Sequence, residues 1–513
     1  MNLVRSAMTV GGMTLISRFL GFARDILIAG TLGTGPIADA FFVAFKFPNL
    51  FRRLFAEGAF NSAFVPLFAK RLEGEGKASA KRFAEEALSV LLFTLIVFTI
   101  VAELTMPWLM YAIAPGFADT PDKFELGILL TRIAFPYLLF MSLVALLSAV
   151  LNSVGRFTAA AAAPIALNIV LIAALVVAVP HFDSPGVVLA WGVVVAGILQ
   201  FVMLLIAVKR AGFAFHLRAP RLTPGVRRLV TLGIPGFIAG GATQFNLLAG
   251  SIIASLQDGA VSLLYYADRI YQLPLGVVGI AIGIVLLPDL SRRLRGDDVA
   301  GASNAQNRAF EFAMLLTLPA AVALAVMPGP IIQVLFERGA FTAADTRGAG
   351  LALAGFAIGL PAFVLIKVLS PGFFAREDTK TPMRFAAIGI AVNIVGSLAL
   401  FFWIGHVGIA LATSAAAWVN AILLGVRLVR LGHFKFDARL KSRLPRLVLS
   451  ALIMGAGLWG GTILATPLLA GSFVEGIAAL ALLIGGGGLL FGIAILATGA
   501  AKVSDLKNAF RRA

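Results

Sequence analysis

Long apolar stretches separated by short polar ones run the length of the chain. They lie near 7–33, 36–69, 87–115, 124–151, 157–180, 187–208, 228–256, 259–290, 309–336, 347–375, 383–404, 407–428, 445–470 and 473–500. Each is long enough for the roughly 20 residues with which a helix crosses about 30 Å of hydrocarbon. The pattern therefore predicts fourteen membrane-spanning helices. Glycine and proline fall inside many of them, which membrane helices tolerate better than soluble ones. The first stretch is not expected to be a cleaved signal peptide, because Arg18 and Arg24 interrupt what would have to be a clean apolar run.

Composition sharpens this picture. Apolar residues make up 60% of the 513 positions and charged residues only 13%, against roughly 25% charge in soluble domains. A water-soluble enzyme, a disordered regulator and a coiled coil are all excluded. There is no cysteine, so disulfides, thiolate nucleophiles and thiolate metal sites are excluded too. The formal charge of +17 first suggests nucleic acid, but the placement of the charges argues otherwise. With the N-terminus inside and the spans alternating, 31 of the 42 lysines and arginines fall on inside segments. Only Lys123, Arg338 and Arg347 fall outside, and eight lie within spans. This positive-inside bias puts both termini in the cytoplasm and accounts for the basic chain without nucleic acid.

The pattern also repeats at an offset of about 220 residues. Met106-Pro107 recurs as Met327-Pro328, Val150-Leu151 as Val368-Leu369, and Asn168-Ile169-Val170 as Asn393-Ile394-Val395. Phe41-Phe42 with Pro48 and Pro66 finds Tyr265-Tyr266 with Pro274 and Pro288. Six spans per repeat is an even number, so both copies run the same way and are related by an axis along the membrane normal. The expected fold is an all-α polytopic membrane protein. It comprises two six-helix lobes, 1–210 and 220–430, related by a pseudo-twofold, and a terminal helix pair within 440–500.

Eight cations inside spans need a purpose, since each costs about 2.5–3.5 kcal/mol at the membrane centre on insertion scales. They are Arg18, Arg24, Lys46, Arg52, Arg53, Arg132, Arg269 and Lys367, with Asp25, Asp39, Glu57 and Asp268 nearby. At helical spacing Ser17, Arg18, Arg24 and Asp25 share a sector about 120° wide. Asp39, Lys46, Arg53, Glu57 and Asn61 form one stripe along the second span, which Arg52 joins only if Pro48 kinks the helix. Neither stripe can face lipid. The pattern predicts a cationic cavity between the lobes, supplied mostly by the first, with Arg269 from the second. Guanidinium groups suit a phosphate ligand because they bind it bidentately and stay charged. The alternative is a set of internal salt bridges, such as Arg53 with Glu57 or Arg18 with Asp25; the excess of cations over acids favours the cavity. Arg132 and Lys367 fit snorkelling positions.

Other chemistry is missing. The four histidines match no metal-ligand spacing, and no phosphate-cradling glycine loop is present. Asn393, Gln244 and Asn246 fit helix–helix hydrogen bonding better than ion coordination. No metal or cofactor is expected.

Several segments carry a resemblance. Ser17-Arg-Phe-Leu-Gly-Phe-Ala-Arg-Asp25 and the run from Asp39 through Lys46, Arg52, Arg53 and Glu57 to Phe60 closely resemble the MurJ (MviN) family of bacterial lipid II flippases. So do Pro115-Gly-Phe-Ala-Asp119, Tyr265-Tyr-Ala-Asp-Arg269 with Pro274-Leu-Gly276, and Pro371-Gly-Phe-Phe-Ala-Arg-Glu-Asp-Thr-Lys-Thr-Pro382. The likeness covers nearly the whole chain in order and is weakest over 430–513. It implies a fourteen-helix member of the MOP transporter superfamily in the bacterial cytoplasmic (inner) membrane. Such a protein carries undecaprenyl-diphosphate-linked disaccharide-pentapeptide, lipid II, to the outer face for peptidoglycan synthesis, among membrane lipids and within reach of the cell-wall synthesis machinery. Arg18, Arg24, Asp39, Arg52 and Arg269 match the family's essential cavity positions, with Ser17, Asp25, Lys46, Arg53 and Glu57 close by. The last two helices would form a groove for the lipid tail. Some relatives hold sodium through acids in the second lobe; those acids are missing here, so sodium coupling is not carried over.

Three rival readings stand beside this one. An exporter of another undecaprenyl-linked polysaccharide precursor is disfavoured only by the motif match. A drug/cation antiporter of the same superfamily calls for a buried acid cluster, where this chain has excess cations. A membrane glycosyltransferase calls for catalytic acids, and Asp297-Asp298 sits in an arginine-rich loop with no supporting residues.

Overall fold

The computed structural model describes residues 3–53 and 60–501, all of whose regular structure is helical. The chain divides into two compact units.

The first unit holds the chain up to Ser262 together with Gly339–Phe341. Its helices are α1 (Leu3–Leu32), α2 (Pro36–Arg52), α3 (Asn61–Gly74), α4 (Lys77–Leu104) and α5 (Met106–Ile113). They continue with α6 (Pro121–Ala134), α7 (Tyr137–Ser153), α8 (Thr158–Ala173), α9 (Pro185–Arg210) and α10 (Pro224–Ala254). Proline opens α2, α5, α6, α9 and α10, where its missing N–H costs nothing and its fixed φ suits the first turn. Helix α1 packs on α8, α2 on α6, and α7 and α8 on α9. Phenylalanine fills the interior: Phe41, Phe42, Phe64, Phe68, Phe117 and Phe135 are fully buried. Phe51 meets both Phe47 and Phe98 edge-on at 5.1 Å, a geometry that adds to the gain from burial.

The second unit runs from Leu263 to Arg338 and resumes at Thr342. It contains most of α11 (Ala260–Arg295), then α12 (Val299–Val326), α13 (Pro328–Phe336), α14 (Ala343–Phe374) and α15 (Lys380–Ile404). Helices α16 (His406–Arg430), α17 (Ala438–Leu469) and α18 (Phe473–Ala497) complete it. Helix α16 packs on α14 and α15. Ser414 Oγ donates to the Gly355 carbonyl at 2.6 Å, an approach that the small residues at this crossing permit. Capping boxes start α14 (Thr342 with Asp345) and α18 (Ser472 with Glu475). Arg439 and Arg443 of α17 reach Glu311 of α12 at 3.1 and 2.5 Å, which ties the C-terminal pair to this unit.

Ten helices among the described residues are long and apolar enough to cross a membrane. Their exposed faces carry Trp403, Leu464, Phe402 and Leu482, as helices solvated by acyl chains rather than water would. The chain is thus a multi-pass, all-helical membrane protein. Ten is fewer than the fourteen expected, and charge accounts for part of the difference. In α1 the apolar run is diluted by Arg18, Arg24 and Asp25, and α2 stops at Arg52 after 17 residues. The expected stretches 228–256 and 259–290 coincide with α10 and α11. The expected span 36–69 is described as α2 and α3 on either side of 54–59, which include Glu57. Two other spans contain a break. Helix α4 gives way to α5 at Met106-Pro107, and α12 to α13 at Met327-Pro328, so the recurring dipeptide marks the same local event in each unit.

Candidate functional site

The charged face of α1 is built around Arg24. Its guanidinium is buried, and so is Asp25 beside it. Arg24 donates to Asp25 Oδ1 from Nε at 3.0 Å and from Nη2 at 2.6 Å. From Nη1 it donates to Asn168 Oδ1 on α8 at 2.9 Å. Asn168 Nδ2 in turn donates to the Ser17 carbonyl at 2.9 Å and reaches Ser17 Oγ at 3.5 Å. Of the sector Ser17, Arg18, Arg24 and Asp25 read from helical spacing, Ser17, Arg24 and Asp25 are gathered into one cluster, with Asn168 at its centre. Arg18, on the same helix, is exposed.

On α2 the predicted stripe divides by depth. Asp39 lies in the first turn and is completely buried. Its Oδ2 accepts from Lys123 Nζ at 2.9 Å and from the Gly259 amide at 2.8 Å. Its Oδ1 accepts from the Ser262 amide at 3.0 Å and from Ser262 Oγ at 2.8 Å. The carboxylate thus holds the start of α11, where free amides and the helix dipole favour an anion. Lys46 and Arg52 are half-buried and Arg53 is exposed. Arg52 Nε donates to Asn49 Oδ1 at 3.1 Å, while Asn49 Nδ2 donates back to the Phe45 carbonyl at 2.7 Å. Glu57 lies outside the described residues.

Arg269 belongs to the second unit. It is half-buried, donates from Nη2 to Tyr265 OH at 2.7 Å and lies 4.7 Å from the centre of that ring, a cation–π contact one helical turn back. Asp268 beside it accepts from Gln272. Arg132 and Lys367 are exposed. Among the described residues no cluster of three or more histidines or acids is placed to hold a metal.

Four of these contacts were not legible as a site in the sequence: Asn168, Asn49, Lys123 and Ser262. Two carried a signal. Lys123 is one of only three cations on the outside segments, and Asn168 recurs as Asn393. In α15 that counterpart accepts from Thr413 Oγ1 at 3.1 Å and Ser397 Oγ at 3.4 Å, closing α15 on α16.

Comparison with known proteins follows the same lines. A probable lipid II flippase MurJ of Rhizobium tropici is 55% identical over 459 residues, covering 89% of this chain and 86% of that protein. The lipid II flippase MurJ of Burkholderia cenocepacia is 38% identical over 467 residues, covering 89% and 90%. A solved structure of lipid II flippase MurJ in an inward closed conformation superposes with a TM-score of 0.77 at 23% identity, covering 95% of this chain and 98% of that one. An inward-facing multidrug resistance MATE family transporter of the MOP superfamily follows at 0.69 and 16% identity, covering 83% and 99%. At such identities these two likenesses concern the fold alone. The family described as lipid II flippase MurJ matches residues 28–479, and with relatives this similar over nearly nine-tenths of the chain, the protein belongs to that family.

Proposed function

We propose that this protein is a lipid II flippase, a transporter rather than an enzyme. It carries undecaprenyl-diphosphate-linked disaccharide-pentapeptide from the inner to the outer leaflet of the bacterial cytoplasmic membrane. The observation that carries this reading is the family match over residues 28–479. The Arg24 cluster is compatible with it: Asp25 and Asn168 hold a guanidinium, a group suited to phosphate, inside an apolar helix bundle.

In this reading the chain has fourteen spans in two six-helix lobes, 1–210 and 220–430, with both termini in the cytoplasm. The pair within 440–500 provides a groove for the polyprenyl tail. Arg18, Arg24, Arg52 and Arg269 line a cationic cavity that opens first inward and then outward. They meet the diphosphate, and Lys46 and Arg53 add positive potential along the path. Asp25 holds Arg24 and Ser17 holds the Asn168 beside it, Glu57 belongs to the stripe of Lys46 and Arg53, and Asp39 fixes the outer end of α2. The sugar–peptide headgroup travels in the cavity while the tail stays in lipid, since moving a bare diphosphate through hydrocarbon is prohibitive. Each negative charge leaving a negative interior gains about 2.3 kcal/mol per 100 mV, a gain that drives export without a coupled ion provided the empty cavity does not return an equal charge. Lipid II and the surrounding membrane lipids are the partners, and contacts with the cell-wall synthesis machinery are compatible with this role. Neither nucleic acid, a cofactor nor a metal enters.

Depletion in cells tests the function. Lipid II should accumulate on the inner leaflet, and its normal appearance on the outer face would point to another substrate. Arg24→Ala should abolish flipping while the protein still inserts, and full transport by that variant would remove diphosphate capture by Arg24.

A further inference from the structure

Asn168 is a buried amide inside an otherwise apolar helix. Its two polar ends have separate partners. The amide nitrogen is held by the Ser17 carbonyl at 2.9 Å and the amide oxygen receives Arg24 Nη1 at 2.9 Å. Only this orientation works, because the flipped amide would aim N–H at a guanidinium and C=O at C=O. The carbonyl that fixes it lies on α1, the helix that carries Arg24, so the oxygen is locked relative to the group it orients.

The chemistry of the acceptor matters as much as its place. Asp25 already takes Nε and Nη2 through one oxygen, and a second carboxylate would leave the cluster with net negative charge. A carboxamide accepts a hydrogen bond without subtracting charge. The same device stands on α2, where Asn49 is tied to the Phe45 carbonyl at 2.7 Å and receives Arg52 Nε at 3.1 Å.

We propose that Asn168 is a positioning residue for transport: it sets the plane in which the Arg24 guanidinium meets the substrate diphosphate, and does so without weakening its charge. This rests on the reading of Arg24 as a diphosphate ligand.

The test is lipid II affinity and melting temperature of the full-length protein in lipid nanodiscs, for Asn168→Ala, Asn168→Asp, Arg24→Ala and Asn393→Ala. Asn168→Ala should weaken binding about tenfold, the scale of one hydrogen bond to a charged group. Asn168→Asp nearly preserves shape and acceptor but adds a negative charge, so it should weaken binding at least as much. Adding Asn168→Ala to Arg24→Ala should cause no further loss of affinity. Asn393→Ala, which also removes a helix–helix hydrogen bond, should lower the melting temperature and leave affinity unchanged. Wild-type affinity in Asn168→Asp, or in Asn168→Ala when Arg24→Ala binds poorly, would overturn the proposal. So would an equal loss of affinity in Asn393→Ala. Wild-type affinity in Arg24→Ala would sink the reading of Arg24 itself, and this proposal with it.

Discussion

Lys123 Nζ lies 2.9 Å from Asp39 Oδ2, with 2% of the lysine side chain and none of the aspartate exposed. The lysine also reaches Asp258 at 2.7 Å, a carboxylate that is 76% exposed. Two charges taken out of water are stable only when the remaining lone pairs are filled as well. Gly259 and Ser262 supply those donors. One carboxylate therefore joins the starts of α2, α6 and α11.

Removing Lys123 should be among the most damaging single changes away from Arg24. Lys123→Met leaves Asp39 buried without its counter-ion, at a cost of about 3–5 kcal/mol. Asp39→Asn retains part of the hydrogen bonding and leaves Lys123 the exposed Asp258 as its counter-ion. Asp39→Asn together with Lys123→Met should recover part of the loss. Thermal unfolding in detergent checks this, and a wild-type transition in Lys123→Met would show that the pair holds nothing together.

Much of this arrangement was legible in the sequence, and the part that was not has a common cause. Hydropathy located the long helices, and of the sector Ser17, Arg18, Arg24 and Asp25 three residues meet around Asn168 while Arg18 is exposed. A helical wheel gives a face but neither a depth nor a partner. It put Asp39 and Lys46 on one stripe, whereas Asp39 sits at the end of α2 beside Lys123, which lies in a different helix. Asn168 carries no sequence signal beyond its recurrence as Asn393, and only three-dimensional packing separates an amide facing Arg24 from one facing Thr413.

A second buried acid holds the segment between α9 and α10. Glu85, in α4, accepts from the His216 amide at 3.1 Å and from Arg218 Nε at 2.6 Å. Ser89 accepts from the Arg218 amide at 2.9 Å, and Thr223 Oγ1 donates to Glu86 at 2.8 Å. Glu85→Ala removes the central acceptors, and a buried charged hydrogen bond of this kind is worth about 1.5–3 kcal/mol. Trypsin should then cut after Arg218 and Arg221 at least about tenfold faster, since cleavage follows the population of the opened segment. An unchanged digestion rate would mean that the segment is held elsewhere.

The motif Pro115-Gly-Phe-Ala-Asp119 has a steric reason for its glycine. A Cβ at Gly116 would lie 2.2 Å from the Ser255 carbonyl oxygen and 2.5 Å from Leu256 Cα. Both obstacles are backbone, so no side-chain rotation relieves the contact. The Gly116 amide also donates to Ser255 Oγ at 3.2 Å, which leaves little freedom to move away. Gly116→Ala should cost about 1–3 kcal/mol by overpacking, seen as a lower melting temperature. Gly35→Ala, where a Cβ meets nothing within 4 Å, is the neutral comparison.

The stretch Arg376-Glu-Asp-Thr between α14 and α15 combines strain with a cap. Glu377 has φ +62°, in the left-handed region where a side chain costs roughly 1 kcal/mol or more and glycine costs little. Asp378 accepts from the Thr381 amide at 3.0 Å, and its hydrogen bonds to Thr381 hold its carboxyl below the usual aspartate range. Glu377→Gly should raise the melting temperature, and Asp378→Ala should lower it by removing a cap worth about 0.5–2 kcal/mol. The two should differ in pH dependence. A depressed carboxyl contributes stability that is complete above its unfolded value, near 3.8, and is lost as the pH falls through the folded one. The deficit of Asp378→Ala relative to the parent should therefore shrink in acid, while the gain of Glu377→Gly, which is steric, should persist. A deficit for Asp378→Ala that stays constant from neutral pH down to the onset of acid unfolding would rule out the carboxylate cap.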